Sequence, residues 1–433
     1  MSRWLLAATV ALLPLLVPSG PGESAPVDVA AVLYIALALA GLAWRGRGLH
    51  LPAMGPLLLI LAASLVATVF SLSVLHSMQS LLIEVYLIAL LVCVANELDG
   101  DRRGLRFVLT AWSATALIWA AVLIGFKLQL LPETLQQLLL DASDKGGYRV
   151  AGPSKNPNLA ASYMMTSFFV LLASPWPRHR PVRLVAAGWL LAGIWVTASN
   201  GALRGVGIGL GAMVVAAGLR AGRTPSQRLA MAGAILATCG LIGGGALMAF
   251  GIPRVQVAEV QAVAATQRER GGVFGESVGR LDRGVLGRLE IWKRAWDGAG
   301  SRVLVGVGPN SASRIPVPPR TLGRELHNDY VAFLVERGVL GLLGLLGLCS
   351  VVLRWSGRLL QAGGEGRWRL AGLGGAVIAN LTLAASHESF HFRHLWVLFG
   401  LVLAATAVAA GDRGAAMPAR RRPPTRELVH ASA

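Results

Sequence analysis

The chain has 433 residues, of which 54% are hydrophobic and 14% charged, with a mean hydropathy of +0.59. It is too apolar and too poor in charge for a soluble globular protein, which leaves a polytopic membrane protein. The formal net charge of +18 would suggest nucleic-acid binding if the basic residues formed one patch, but they are strung out between apolar segments.

A membrane-spanning helix needs roughly 20 apolar residues, and about twelve stretches near that length follow one another along the chain. They centre on residues 5–17, 27–44, 51–75, 78–95, 105–130, 159–176, 182–198, 201–219, 229–252, 330–353, 370–386 and 395–410. The expectation is an all-α fold, a single membrane domain over residues 1–433. Arg3 precedes a short apolar run, as in a signal peptide, but Pro26 follows the A-x-A-like site at Ser24-Ala25 and disfavours cleavage. An uncleaved first span is expected.

Basic residues alternate between connections. Arg45 and Arg47, then Arg102, Arg103 and Arg106, then Arg178, Arg180 and Arg183, then Arg220, Arg223 and Arg228, then Arg354, Arg358, Arg367 and Arg369 fall in every second loop. By the positive-inside rule both termini are cytoplasmic, in agreement with Arg420, Arg421 and Arg422 in a basic tail at 412–433. The charge therefore reads as topology, and no nucleic-acid partner is expected. Cys93, Cys239 and Cys349 each lie inside a span, too far apart in sequence for a disulfide framework or a zinc ribbon.

Two outward loops exceed turn length, at 132–158 and 253–329, and the second is long enough to be functional or to carry its own structure. Val255, Ala258, Ala262 and Ala265 repeat with helical spacing. Val285, Leu289, Trp292 and Trp296 form a later stripe, with Glu290, Lys293, Arg294 and Asp297 off it, which predicts an amphipathic helix on the membrane surface. This loop is basic although outward. Long loops tolerate that; the alternative is an anionic ligand, such as a lipid pyrophosphate, clamped by Arg forks.

Ionisable residues inside spans favour the second reading, because each is costly in hydrocarbon. Glu84, Lys127, Arg204, Arg393 and His327 all fall in the outer part of their predicted helices, whereas a transporter would place its polar site near the midplane. The most informative run is His327-Asn328-Asp329-Tyr330, which closes the long loop and opens an apolar helix running on to Glu336-Arg337-Gly338.

Four patches resemble the O-antigen ligase family, which also contains O-antigen polymerases and bacterial O-oligosaccharyltransferases. Arg149, Gly152, Asn156, Pro157 and Asn158, with Lys155 in between, resemble its R-x-x-G-x-x-x-N-P-N pattern. Ser199-Asn200-Gly201-Ala202 is similar to its S-R-G-A helix start, with Asn200 where the family has Arg and Arg204 one turn further along the same face. Arg288 and Trp292, followed by Leu304, Gly306 and Gly308, resemble its R-x-x-x-W and L-x-G-x-G pairing. His327-Asn328 with Glu336 and Gly338 resembles its closing motif, so the likeness spans residues 149–345.

The resemblance implies an inner-membrane enzyme with its active site on the periplasmic side. There an undecaprenyl-pyrophosphate-linked glycan passes, with inversion and without metal or other cofactor, to an acceptor hydroxyl of lipid A core or, in a polymerase, of a growing glycan. It implies His327 as the base and Arg288 and Arg204 as pyrophosphate ligands. A neutral imidazole, whose unperturbed pKa is about 6.5, suits the first role, and guanidinium groups the second. Arg149, Lys155, Asn156, Asn158 and Asn328 are the candidate substrate-binding residues; Asp329, Glu336 and Glu84 are structural or supporting. Glu336 falls on the face opposite His327, in line with Asp329 and Phe333. Glu276, Asp282, Glu290, Asp297 and Glu325 form no paired-carboxylate motif, so no metal is expected.

A competing motif is His387-Glu388-x-x-His391, the pattern of zinc proteases, which on one helix face would hold zinc and activate water. A milder alternative has His387, His391 and Arg393 lining the outer vestibule. Asn156-Pro157-Asn158 is equally consistent with a simple turn and helix cap.

Overall fold

The computed structural model describes residues 2–16, 25–46, 48–132, 134, 150–154, 156–221, 224, 226, 281–317, 320–323, 325–361 and 367–416. The expected span at 229–252, the helix expected from Val255 onward, Arg149, Lys155 and the last part of the basic tail lie outside them. The described chain is α-helical apart from 3-10 turns and one two-residue antiparallel pairing, β1 (Pro316–Val317) with β2 (Arg320–Thr321).

The helices are α1 (Ser2–Leu12), α2 (Pro26–Trp44), α3 (Met54–Val69), α4 (Val74–Glu97), α5 (Arg102–Lys127), α6 (Pro157–Ala173), α7 (Arg180–Val196), α8 (Asn200–Ala221), α9 (Leu281–Ala299), α10 (Asp329–Leu360), α11 (Ala371–Ala384) and α12 (Arg393–Ala416). All but α9 coincide with spans read from the sequence. Among the described residues six of them, α2, α4, α5, α8, α10 and α12, are long and apolar enough to cross a membrane, while α1, α3, α6 and α11 are apolar but shorter. Helices α6 and α11 are buried along nearly their whole length. A helix surrounded by other helices need not match the thickness of lipid, which accounts for 14 residues sufficing in α11.

Packing follows from these lengths. Helix α10 lies against α3 and α11, α11 against α8 and α6, and α12 against α4. Several polar side chains in this interior pair across helices, as a dry medium favours. Ser162 Oγ is 2.9 Å from His394 Nε2, and Asn380 Nδ2 donates to Thr166 Oγ1 at 2.9 Å, tying α6, α11 and α12 together. At one end of the bundle Ser2 bonds Glu97 and Arg3 pairs with Asp101, beside Arg102, Arg103 and Arg106. At the other end Arg393 forks onto Asp28, and Ser77 Oγ donates to the Pro309 carbonyl at 2.9 Å.

That second end carries the segment 281–328, which has its own small core of Ala295, Ala299, Val303, Val307, Ile315 and Leu326 shared with Ala332 and Val335 of α10. It docks on a break in α10. Gly338 has φ +72°, so the helical ladder is interrupted, and the Val335 and Glu336 carbonyls accept instead from Val307 N and Gly308 N, both at 3.0 Å. The Glu336 carboxylate adds Asn310 N at 3.0 Å and Ala312 N at 3.2 Å. Its charge is balanced by Arg337, whose Nη1 lies 3.0 Å away, and Arg337 Nε donates to Glu84 Oε1 of α4 at 2.6 Å. Arg337 also covers the Phe333 ring, 4.3 Å from its centroid.

The break leaves no room for a side chain: a Cβ at Gly338 would meet Leu304 O at 2.4 Å. Gly338→Ala is expected to destabilise by about 2–3 kcal/mol. Gly207→Ala on α8, where nothing lies within 4 Å, should be neutral or stabilising by up to about 1 kcal/mol. Thermal unfolding of the purified protein in detergent checks both. Arg337→Met, which strands two buried carboxylates, should cost roughly 3–5 kcal/mol in the same measurement.

Candidate functional site

Of the helices that begin at the end of the bundle carrying the docked loop, three bring candidate site residues with them. Helix α6 starts behind Asn156, an extended N-cap whose Oδ1 accepts from Asn158 N at 2.8 Å, with Pro157 supplying the fixed φ of a first helical residue. Helix α8 starts after Ser199, whose hydroxyl donates to Asn158 Oδ1 at 3.2 Å. Helix α10 starts behind Asn328, which accepts from Tyr330 N at 2.9 Å and Val331 N at 3.2 Å and donates from Nδ2 to the Ala385 carbonyl at 3.0 Å. Asn156 and Asn328 thus commit these atoms to capping, and each helix start presents the positive end of its dipole to the same side.

The amphipathic helix expected in the long loop is α9, but its buried face is rotated from the predicted stripe. Ala295 and Ala299 are buried and Ile291 and Trp292 pack with them, while Leu289 is 50% and Trp296 54% exposed. The reason is a hydrogen bond: Trp292 Nε1 donates to the Leu326 carbonyl at 2.7 Å, turning the indole inward and fastening α9 to the residue before His327. Arg288, one turn earlier on the same face, is thereby half-buried. Burial, and then the neighbouring guanidinium of Arg204 on α8, lower the Arg288 pKa below its ordinary value. Arg204 Nε donates to the Asn200 carbonyl at 3.3 Å. Among the described residues no carboxylate pairs with either guanidinium, so two like charges from distant stretches of chain share one region.

His327 has φ +53°, in the left-handed region, which is uncommon for a residue with a side chain and costs about 1–3 kcal/mol. Glu388 offsets that cost. Its Oε1 accepts from Leu326 N at 2.7 Å and His327 N at 3.0 Å, and a hydrogen bond contributes about 0.5–1.5 kcal/mol net. A reciprocal pair runs the other way: Asp329 accepts from Ser389 N at 2.7 Å, Ser389 Oγ at 2.9 Å and Phe390 N at 3.2 Å. Burial, followed by the nearby Glu336, Glu325 and Asp329, raises the Glu388 carboxyl well above the usual range. The His327 imidazole is partly exposed, with Glu325 Oε2 3.7 Å from Nδ1 and the buried His387 ring nearly parallel at 6.1 Å between centroids.

These contacts correct the zinc-protease alternative. Residues 387–391 form turns between α11 and α12, so His387 and His391 do not stand a helical turn apart on one face, and Glu388 faces backbone amides. Among the described residues no three His, Cys, Asp or Glu side chains are grouped as a metal site. Of the span charges expected to converge here, Arg393 is forked onto Asp28 and Lys127 closes the last turn of α5. Arg337 does not stand out in the sequence, and Glu388 stands out there only as part of a metal pattern. The available signal for Glu388 was an acidic residue in a turn after an apolar span, where backbone amides need acceptors.

The family model described as O-Antigen ligase matches residues 154–346, a segment that runs from the start of α6 into the middle of α10 and contains Arg204, Arg288 and His327. No curated protein matches the chain. Residues 154–346 are thus similar to an O-antigen ligase family domain, set within an α-helical chain that has helices long and apolar enough to cross a membrane.

Proposed function

We propose that the protein transfers a glycan from an undecaprenyl-pyrophosphate donor to an acceptor hydroxyl, with inversion, and that the acceptor is a sugar of lipid A core at the periplasmic face of the inner membrane. The observation that carries this reading is the half-buried Arg288 in the field of Arg204, on the face of α9 that Trp292 pins beside His327. Two guanidiniums without described carboxylate partners suit a pyrophosphate, whose charge grows as the anomeric C–O bond breaks.

In this reading the acceptor oxygen attacks the anomeric carbon from the side opposite the leaving group. The pyrophosphate departs with the bonding electrons toward Arg288 and Arg204, and the hydroxyl proton passes to the His327 imidazole, which returns it to water. The distribution of basic residues supports the side: Arg45, Arg102, Arg103 and Arg106 gather at the opposite end from His327, which the positive-inside rule assigns to the cytoplasm together with both termini. Arg149 and Lys155, close in sequence to the capped start of α6, are proposed as further donor contacts, with Asn158 and Asn328 shaping the same vestibule.

The test is transfer from purified undecaprenyl-pyrophosphate glycan to lipid A core in detergent with chelator present. Wild type should transfer, and His327→Ala and Arg288→Ala should each lower the rate by about 100-fold or more, with Arg204→Ala losing less. A donor that is lengthened on itself, or a glycosylated protein Ser or Thr, would replace the ligase by a polymerase or an oligosaccharyltransferase. Undiminished transfer by Arg288→Ala would refute the pyrophosphate site.

A further inference from the structure

We propose that Glu388 is a positioning residue for the transfer reaction: its carboxyl group, by holding the backbone amides of Leu326 and His327, sets the left-handed turn that presents the His327 imidazole to the acceptor. The proposal rests on the reaction proposed above but adds a residue that lies beyond the O-antigen ligase match, which ends at 346.

Three observations carry it. The first is the contact itself, with one carboxylate oxygen receiving two consecutive amides at 2.7 and 3.0 Å across 62 and 61 residues of sequence. The second is what those amides belong to: His327 is the residue in the left-handed conformation, and its N–H donates to the Glu388 side chain. The third is that the partner segment is itself fixed. Ser389 and Phe390 are held by Asp329, and the carbonyl of Ala385 receives Asn328 Nδ2, so residues 385–390 and 326–329 grip each other from both sides. Glu388 touches no reacting atom in this arrangement. It acts through the backbone, and the nearly parallel His387 ring, buried beside His327, limits where the imidazole can swing.

A displacement of about 1 Å in a catalytic group lowers turnover by roughly 100-fold, so the effect should appear in kcat and leave donor binding alone. In the full-length protein, Glu388→Ala should lower kcat by about 10- to 100-fold with donor KM changed by less than about threefold. Glu388→Gln, whose amide oxygen accepts the same two bonds, should keep kcat within about threefold of wild type. In a His327→Ala background, Glu388→Ala should cost nothing further. Hydrogen exchange read by mass spectrometry supplies a measure independent of activity: the amides of residues 326 and 327 should exchange faster in Glu388→Ala and as in wild type in Glu388→Gln.

Wild-type kcat in Glu388→Ala, a raised donor KM at unchanged kcat, or unchanged exchange at 326 and 327 would each overturn the proposal. If Glu388→Ala does not fold, Glu388→Asp, one methylene shorter, takes its place with the same expected loss of kcat, and unchanged kcat there overturns it equally. Absence of transfer by wild type would refute the transfer reading, whereas transfer by wild type with full activity in the Glu388 variants would refute the positioning role alone.

Discussion

Irregular backbone at the rim of a membrane bundle has no ladder to complete its hydrogen bonds, and in this protein three carboxylates complete them. Glu336 takes the amides of Asn310 and Ala312, Glu388 those of Leu326 and His327, and Asp329 those of Ser389 and Phe390. Each would be a liability in a dry interior without partners. Two backbone donors apiece, with Arg337 balancing Glu336 and Glu84, turn those liabilities into fastenings. The long loop is consequently joined to the bundle through directed polar bonds as well as its small apolar core.

Helix α10 is the element on which these fastenings meet. Its start is capped by Asn328, its first turn carries Asp329, and its break at Gly338 frees the carbonyls of Val335 and Glu336 for the loop. The segment Leu304-x-Gly306-x-Gly308 and the segment Glu336-x-Gly338 are therefore two halves of one joint. Behind α10, the short buried α6 and α11 bring the starts of α6 and α8 close to the turn after α11. In this way Arg204 and Arg288, 84 residues apart in a sequence of 433, enter one another's field.

Much of this was legible before any coordinates. Apolar segments set off by polar and basic connections located the helices, because that alternation is local to each stretch of chain and needs no knowledge of its neighbours. Of the residues singled out from sequence, Arg288 lies in the field of Arg204, and Trp292 is fastened to the residue before His327. What could not be read depends on contacts between segments. Periodicity grouped Trp292 with Leu289 and Trp296 on one apolar stripe of α9, because nothing local to that helix reveals that the Leu326 carbonyl awaits the indole N–H and turns a different face inward. His387-Glu388-Ser389-Phe390-His391 looked like a metal motif because residue spacing carries no information on whether a stretch is helix or turn. Arg337 was passed over between Glu336 and Gly338, although a cation there is what allows Glu336 and Glu84 to lie buried side by side.

In the proposed function Arg204 and Arg288 hold one anion between them, which a double-mutant cycle on binding of undecaprenyl pyrophosphate to the purified protein tests, using Arg204→Met, Arg288→Met and the pair. Each change should weaken binding, and the pair should lose clearly less than the sum of the two, because both guanidiniums serve the same pyrophosphate. Affinity untouched by either change, or losses that simply add, would rule out a shared anion site.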